Sequence, residues 1–130
     1  MAGELILIIE DNEKNRKLER DILQFYGYRT MEAETAEAGI GLAQATPPAL
    51  VLLDIQLPGM NGIAALHHLR ADPRTRAIPV IAVTASAMTH DRQKILAAGF
   101  DGYQAKPIEV TQLVAAVRTA VGRPAAGDPP

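Results

Sequence analysis

Three stretches of the chain are continuously apolar: Leu-Ile-Leu-Ile-Ile at residues 5–9, Leu-Val-Leu-Leu at 50–53 and Pro-Val-Ile-Ala-Val at 79–83. Apolar runs of this length without polar alternation suit strands buried on both faces, as in a parallel sheet covered by helices. Two weaker stretches recur between and after them, Tyr-Arg-Thr-Met-Glu-Ala at 28–33 and Gly-Tyr-Gln-Ala-Lys at 102–106. The first is polar enough for an edge strand, and the second is short. The segments between these runs have helical spacing. Residues 12–26 put Leu18, Ile22 and Phe25 on one predicted face, with Gly27 placed to end the helix. Thr35 is suited to cap a second helix that reaches about residue 45, before Pro47-Pro48 stops it. Ile63, Leu66 and Leu69 line a third, which ends near Asp72-Pro73. Residues 89–98 make a fourth, closed by Gly99, with Ile95 and Leu96 as its large apolar residues. Residues 109–121 carry the clearest stripe, Val110, Leu113, Val114, Val117 and Val121.

Strand and helix thus alternate five times, which predicts an α/β fold: a doubly wound parallel five-stranded sheet with right-handed crossovers and helices on both faces. Residues 1–121 are expected to form the domain, and the Pro- and Gly-rich residues 122–130 a short disordered tail. The chain length of 130 residues suits one core of this kind. The net charge of −2 and pI near 5.9 give no basic footprint for nucleic acid. The chain has no cysteine, which removes disulfides and thiolate metal sites. No apolar run approaches the roughly 18 residues of a membrane span. The start lacks a basic region, and Glu10-Asp11 interrupt its apolar run, so no signal peptide is expected. His67, His68 and His90 fall on expected exposed helical positions without metal-ligand spacing.

Sheets of this class bind ligands beyond the carboxyl ends of their strands. The residues delivered there are Glu10 and Asp11 after the first run, Asp54 after the third, Thr84 after the fourth, and Lys106 before Pro107 after the fifth. Taken alone, Asp54 before Leu-Pro-Gly reads as a turn-former. Glu10 and Asp11 could equally serve the first helix, where acids suit the dipole. Taken together, three carboxylates would crowd one crevice. Two unit charges about 4 Å apart repel by about 4 kcal/mol at an effective dielectric near 20. A raised pKa or a bound cation relieves this. Oxygen donors without Cys or His favour a hard ion, Mg²⁺ or Mn²⁺. A hydroxyl from Thr84 and an ammonium from Lys106 then suit an anion carried on the metal, with Asp54 as candidate nucleophile.

The segments IIEDNEKNR, VLLDIQLPGMNG, AVTASAM and YQAKPI resemble, in order and at successive strand ends, the signature segments of response-regulator receiver domains. The resemblance covers about residues 4–121. Within the family the chain is most similar to single-domain regulators of the DivK type and to receivers of hybrid kinases. It implies a flavodoxin-like (βα)5 fold with strand order 2-1-3-4-5. It also implies that Asp54 accepts a phosphoryl group from a phosphohistidine on a partner. Asp11, Asp54 and the Gln56 backbone carbonyl would bind Mg²⁺ directly, and Glu10 through water. Thr84 and the Ala85 backbone N–H would bind phosphoryl oxygens, and Lys106 would pair with the phosphoryl group beside a cis bond to Pro107. Thr84 and Tyr103 would move together as the switch, and the side chains of Gln56 and Ser86 would tune phosphoryl lifetime.

The function this implies is a cytoplasmic, single-domain response regulator with no DNA-binding output domain, and a phospho-accepting switch rather than an enzyme. Its partners would be a sensor histidine kinase or histidine phosphotransfer protein and a downstream protein target, with neither nucleic acid nor membrane. The expected readout surface is the fourth helix, fifth strand and fifth helix. Two alternatives fit the residues less well. A Mg²⁺-dependent phosphatase with an aspartyl nucleophile commonly has a second acid two residues on, where this chain has Gln56. A flavin-binding electron carrier needs a phosphate-cradling loop after the first strand, and Glu-Asp-Asn-Glu-Lys-Asn is acidic and lacks glycine.

Overall fold

A computed structural model describes residues 3–85 and 89–122. The elements run β1 (Leu5–Ile9), α1 (Glu13–Phe25), β2 (Arg29–Ala33), α2 (Ala36–Ala45), β3 (Leu50–Asp54), α3 (Gly62–Ala71), β4 (Val80–Thr84), α4 (Thr89–Ala97), β5 (Gly102–Ala105) and α5 (Val110–Val121). The five strands form one parallel sheet in the order β2-β1-β3-β4-β5. The sequence expectations for fold class and strand order both hold. Ser86, the side chain of His90 and the tail beyond residue 122 lie outside the described residues.

The continuous apolar runs become the three central strands because each residue there meets a helix on one side or the other. Leu7, Ile9, Val51, Leu53, Val80 and Ala82 pack into a cluster with α2 and α3. Their alternate neighbours Ile6, Ile8, Leu50, Leu52, Ile81 and Val83 pack into a second cluster with α1 and α5. This is the period-two alternation of a strand with two covered faces. β2 and β5 lie at the edges, where the polar content of residues 29–33 costs little. No described helix is long and apolar enough to cross a membrane.

Four of the helices, α1, α2, α3 and α5, start on side-chain caps. Asn12, Thr35, Asn61 and Glu109 each accept a hydrogen bond from the backbone N–H three residues on. α1 stops at Gly27, whose φ of 92° is readily available only to glycine. The N–H groups of Gly27 and Tyr28 then satisfy the carbonyls of Gln24 and Leu23.

Two predicted helix faces need correction. In α1 the inward residues are Glu19, Ile22 and Leu23, while Leu18 is 40% and Phe25 83% exposed. Positions 19, 22 and 23 satisfy helical spacing as well as 18, 22 and 25 do. Packing of Leu23 into the sheet selects the first set and carries Glu19 inside with it. In α5, Val110 is exposed, and the buried stripe is Leu113, Val114, Val117 and Ala120.

Candidate functional site

The carboxyl ends of β1, β3 and β4 and the segment after β5 meet at one edge of the sheet. Asp54, the last residue of β3, is only 2% exposed. Its Oδ1 accepts a hydrogen bond from the Gln56 N–H at 2.9 Å, and its Oδ2 accepts one from Lys106 Nζ at 3.1 Å. The turn that makes this possible depends on Gly62. A Cβ there would lie 2.7 Å from Ile55 Cα and 2.9 Å from the Asp54 carbonyl oxygen. Without one, α3 begins against the end of β3, and Gly62 N–H donates to Ile55 O at 2.9 Å.

Glu10 follows β1 and is 1% exposed. Its Oε2 accepts from the Asn12 N–H at 3.1 Å, and its backbone carbonyl accepts from Arg16 Nη1 at 3.0 Å. Its Oε1 lies 2.9 Å from Lys106 Nζ, close but poorly aligned, so the contact is an ion pair more than a hydrogen bond. Burial raises the Glu10 pKa, the Lys106 ammonium and the Asn12 N–H pull it down, and Asp54 adds to the rise. Asp11 beside it is exposed. One oxygen each from Glu10, Asp11 and Asp54 lies within 4.8 Å of the others.

Lys106 is therefore shared. Its N–H donates to Thr84 O at 2.8 Å, and its ammonium contacts both buried carboxylates. Burial works against its charge, but its close contacts with the carboxylates of Glu10 and Asp54 outweigh burial and raise its pKa. The Lys106–Pro107 peptide is cis. Thr84 ends β4 and is buried, and Ala85 after it is exposed. Gln56 is exposed. Tyr103, on β5 opposite Ala82, packs partly against the core, and its hydroxyl accepts from Arg92 Nη1 at 3.2 Å. His67 and His68 are exposed on α3.

The structure thus gathers Glu10, Asp11, Asp54 and Lys106 at one edge, with Thr84 joined to Lys106 through its backbone. One ammonium against three carboxylates leaves the cluster formally two charges negative. The donors are all hard oxygens, and Asp11 opens the cluster to solvent. This donor set fits a divalent cation such as Mg²⁺.

Two further residues belong to the surroundings, one with a weak sequence signal and one with none. Glu19 is 1% exposed, and its Oε2 has no hydrogen-bond partner. Burial first, and the Glu10 charge second, push its pKa up to about 8. Its one sequence signal is its place three and four residues before Ile22 and Leu23. Arg92 had none, because its importance lies in a contact between α4 and β5.

Residues 6–118 match the family of response regulator receiver domains. The polar-differentiation response regulator DivK of Brucella ovis is 39% identical over 117 residues, covering 90% of this chain and 95% of the relative. The receiver domain of the sensor histidine kinase PA1611 of Pseudomonas aeruginosa has a magnesium ion coordinated in its active site cleft. It superposes with a TM-score of 0.86 at 32% identity, over 94% of this chain and 100% of that one. The signal receiver domain of a histidine kinase from Syntrophus aciditrophicus gives 0.84 at 28% identity, over 95% and 96%. In fold and in sequence, the chain belongs to the response regulator receiver domain family.

Proposed function

We propose that the protein is a phospho-accepting switch in which Asp54 takes a phosphoryl group from a phosphohistidine on a sensor kinase or phosphotransfer protein. The observation that carries this reading is the sharing of Lys106 between Glu10 and Asp54, at 2.9 and 3.1 Å, beside an open cluster of carboxylate oxygens. A carboxylate oxygen of Asp54 forms the new bond to phosphorus as the bond from phosphorus to the partner's imidazole nitrogen breaks. Asp54 needs no general base, because it attacks as the carboxylate. Lys106 gives charge to the transferring group, and Thr84 and the Ala85 N–H are the donors for its oxygens. Glu10, Asp11, Asp54 and the Gln56 carbonyl would hold Mg²⁺ or Mn²⁺. A bound divalent ion supplies neutralising charge to the phosphoryl oxygens.

Phosphorylation adds nearly two negative charges at Asp54. Thr84 and Lys106 respond first, and Tyr103 follows Thr84. The change is read on α4, β5 and α5 by a downstream protein. The same reading puts the protein in the cytoplasm with its kinase. The test is phosphate incorporation from a phosphorylated histidine kinase or from acetyl phosphate. Asp54→Asn is expected to abolish it while keeping a native circular dichroism spectrum. Labelling of that variant equal to wild type would overturn the assignment.

A further inference from the structure

Arg92, on α4, is exposed and takes no part in the chemistry at Asp54. It meets Tyr103 in two ways. Its Nη1 donates to the tyrosine hydroxyl at 3.2 Å, and its guanidinium carbon lies 5.5 Å from the ring centroid. We propose that Arg92 is a positioning residue that grips Tyr103 and restrains its movement towards the phosphoryl site. This rests on the reading in which Tyr103 follows Thr84.

The two contacts constrain different motions. The hydrogen bond fixes where the hydroxyl ends. The cation over the ring face fixes the ring plane, because the attraction is to the π face. Rotating Tyr103 to another χ1 well moves the hydroxyl by several ångström and gives up both contacts at once. The restraint also runs back into α4. That helix buries Ile95 but leaves Leu96 45% exposed, so its own hold on the core is slight. When Tyr103 leaves, α4 loses a tie to β5, and the two elements change together. A grip on an exposed guanidinium competes with water, so its effect is a few-fold bias and not a block.

The test uses the full chain labelled with fluorotyrosine. The chain has three tyrosines, and Tyr103→Phe assigns the relevant resonance. Beryllofluoride with Mg²⁺ serves as the phosphoryl mimic. In the wild type the Tyr103 resonance is expected to move on titration. In Arg92→Ala the free resonance is expected to lie already part-way to the bound position. The half-saturating beryllofluoride concentration should fall by about five-fold, because the competent state is more populated. Arg92→Lys, which keeps a cation but loses the planar fork, should recover part of the difference. On a Tyr103→Leu background, which removes the hydroxyl and the ring together, Arg92→Ala should change the affinity by less than about two-fold. A wild-type resonance and affinity in Arg92→Ala would overturn the grip alone. So would an equal effect on the Tyr103→Leu background. A wild-type Tyr103 resonance that ignores beryllofluoride, with binding still seen at Asp54, would overturn the switch reading and the grip with it.

Discussion

Replacing Glu19 by leucine is expected to stabilise the protein, by an amount that grows with pH. Glu19 is an α1 residue 1% exposed, its Oε2 has no hydrogen-bond partner, and its pKa is about 8 against an ordinary 4.5. Each unit of that gap is worth about 1.36 kcal/mol between the two protonation states. The folded-state pKa lies above the unfolded one. The carboxyl's full contribution is therefore present below pH 4.5 and is lost progressively as pH rises through 8. Integration of that linkage gives a loss of about 1 kcal/mol at pH 5 and about 3 kcal/mol at pH 7. The charges facing Glu19 are those of Glu10, Asp54 and Lys106. The two acids reinforce the shift, and the ammonium opposes it.

Urea titrations followed by far-ultraviolet circular dichroism suit a chain without tryptophan. Glu19→Leu should raise the midpoint with an unchanged slope, which marks a change of stability without a change in exposed surface. At pH 7 the gain of about 3 kcal/mol corresponds to a Tm rise of roughly 10 °C for a domain of this size. Between about pH 5 and 7 the wild type should lose about 2 kcal/mol more than the variant does. Glu19→Gln keeps the shape and removes the titration. It should share the flatter pH profile, even though its buried amide costs about 1–3 kcal/mol at every pH. Parallel pH profiles for wild type and both variants would refute the reasoning.

Two other outcomes follow from the site. Cation binding should raise the Tm by linkage, worth about 2.7 kcal/mol at a hundredfold excess over Kd. Asp11→Asn should remove most of that rise in a Mg²⁺-against-chelator melt, and an undiminished rise would place the cation elsewhere. Gly62→Ala forces a Cβ to within 2.9 Å of the backbone at Asp54 and Ile55. It should cost about 1–3 kcal/mol in urea and slow phosphate incorporation, because the carboxylate rides on that backbone; an unchanged rate and midpoint would refute the close approach.

The strands were legible because burial on both faces leaves a signal that no helix competes for. Residues 5–9, 50–53 and 79–83 are too short for buried helices and too apolar for loops. The site was legible for a related reason: in a parallel sheet, the residue after each apolar run must stand at the same edge. The α1 face was not legible, because a fifteen-residue segment with scattered apolar residues supports two overlapping stripes. The all-apolar stripe of Leu18, Ile22 and Phe25 looks better in isolation. The observed one accepts an acid to seat Leu23 in the sheet. Val110 failed differently. It sits directly after the Glu109 cap, on the outward side of the first turn of α5, and the buried stripe begins at Leu113. Arg92 and Tyr103 meet across β5 and α4, and nothing in either segment alone signals the partner.

The arrangement at Lys106 also limits how the site can work. One ammonium serves two carboxylates that are both almost fully buried, Glu10 and Asp54. Leaving a buried charge without its partner costs about 3–5 kcal/mol. Under the proposed reading, a phosphoryl group on Asp54 brings added negative charge and draws Lys106 to itself. Glu10 then keeps the Asn12 N–H but loses its cation. Burial already raises the Glu10 pKa, so without Lys106 it would take up a proton or need a second cation nearby. Asp11, exposed beside it and with an oxygen within 4.8 Å of those of Glu10 and Asp54, would give such a cation a way in. On that reading Lys106 and a divalent ion would be complementary: the lysine offsets part of the cluster's charge before transfer, and an ion held by Glu10, Asp11 and Asp54 would supply Glu10 with the charge it loses when the lysine turns to the phosphoryl group.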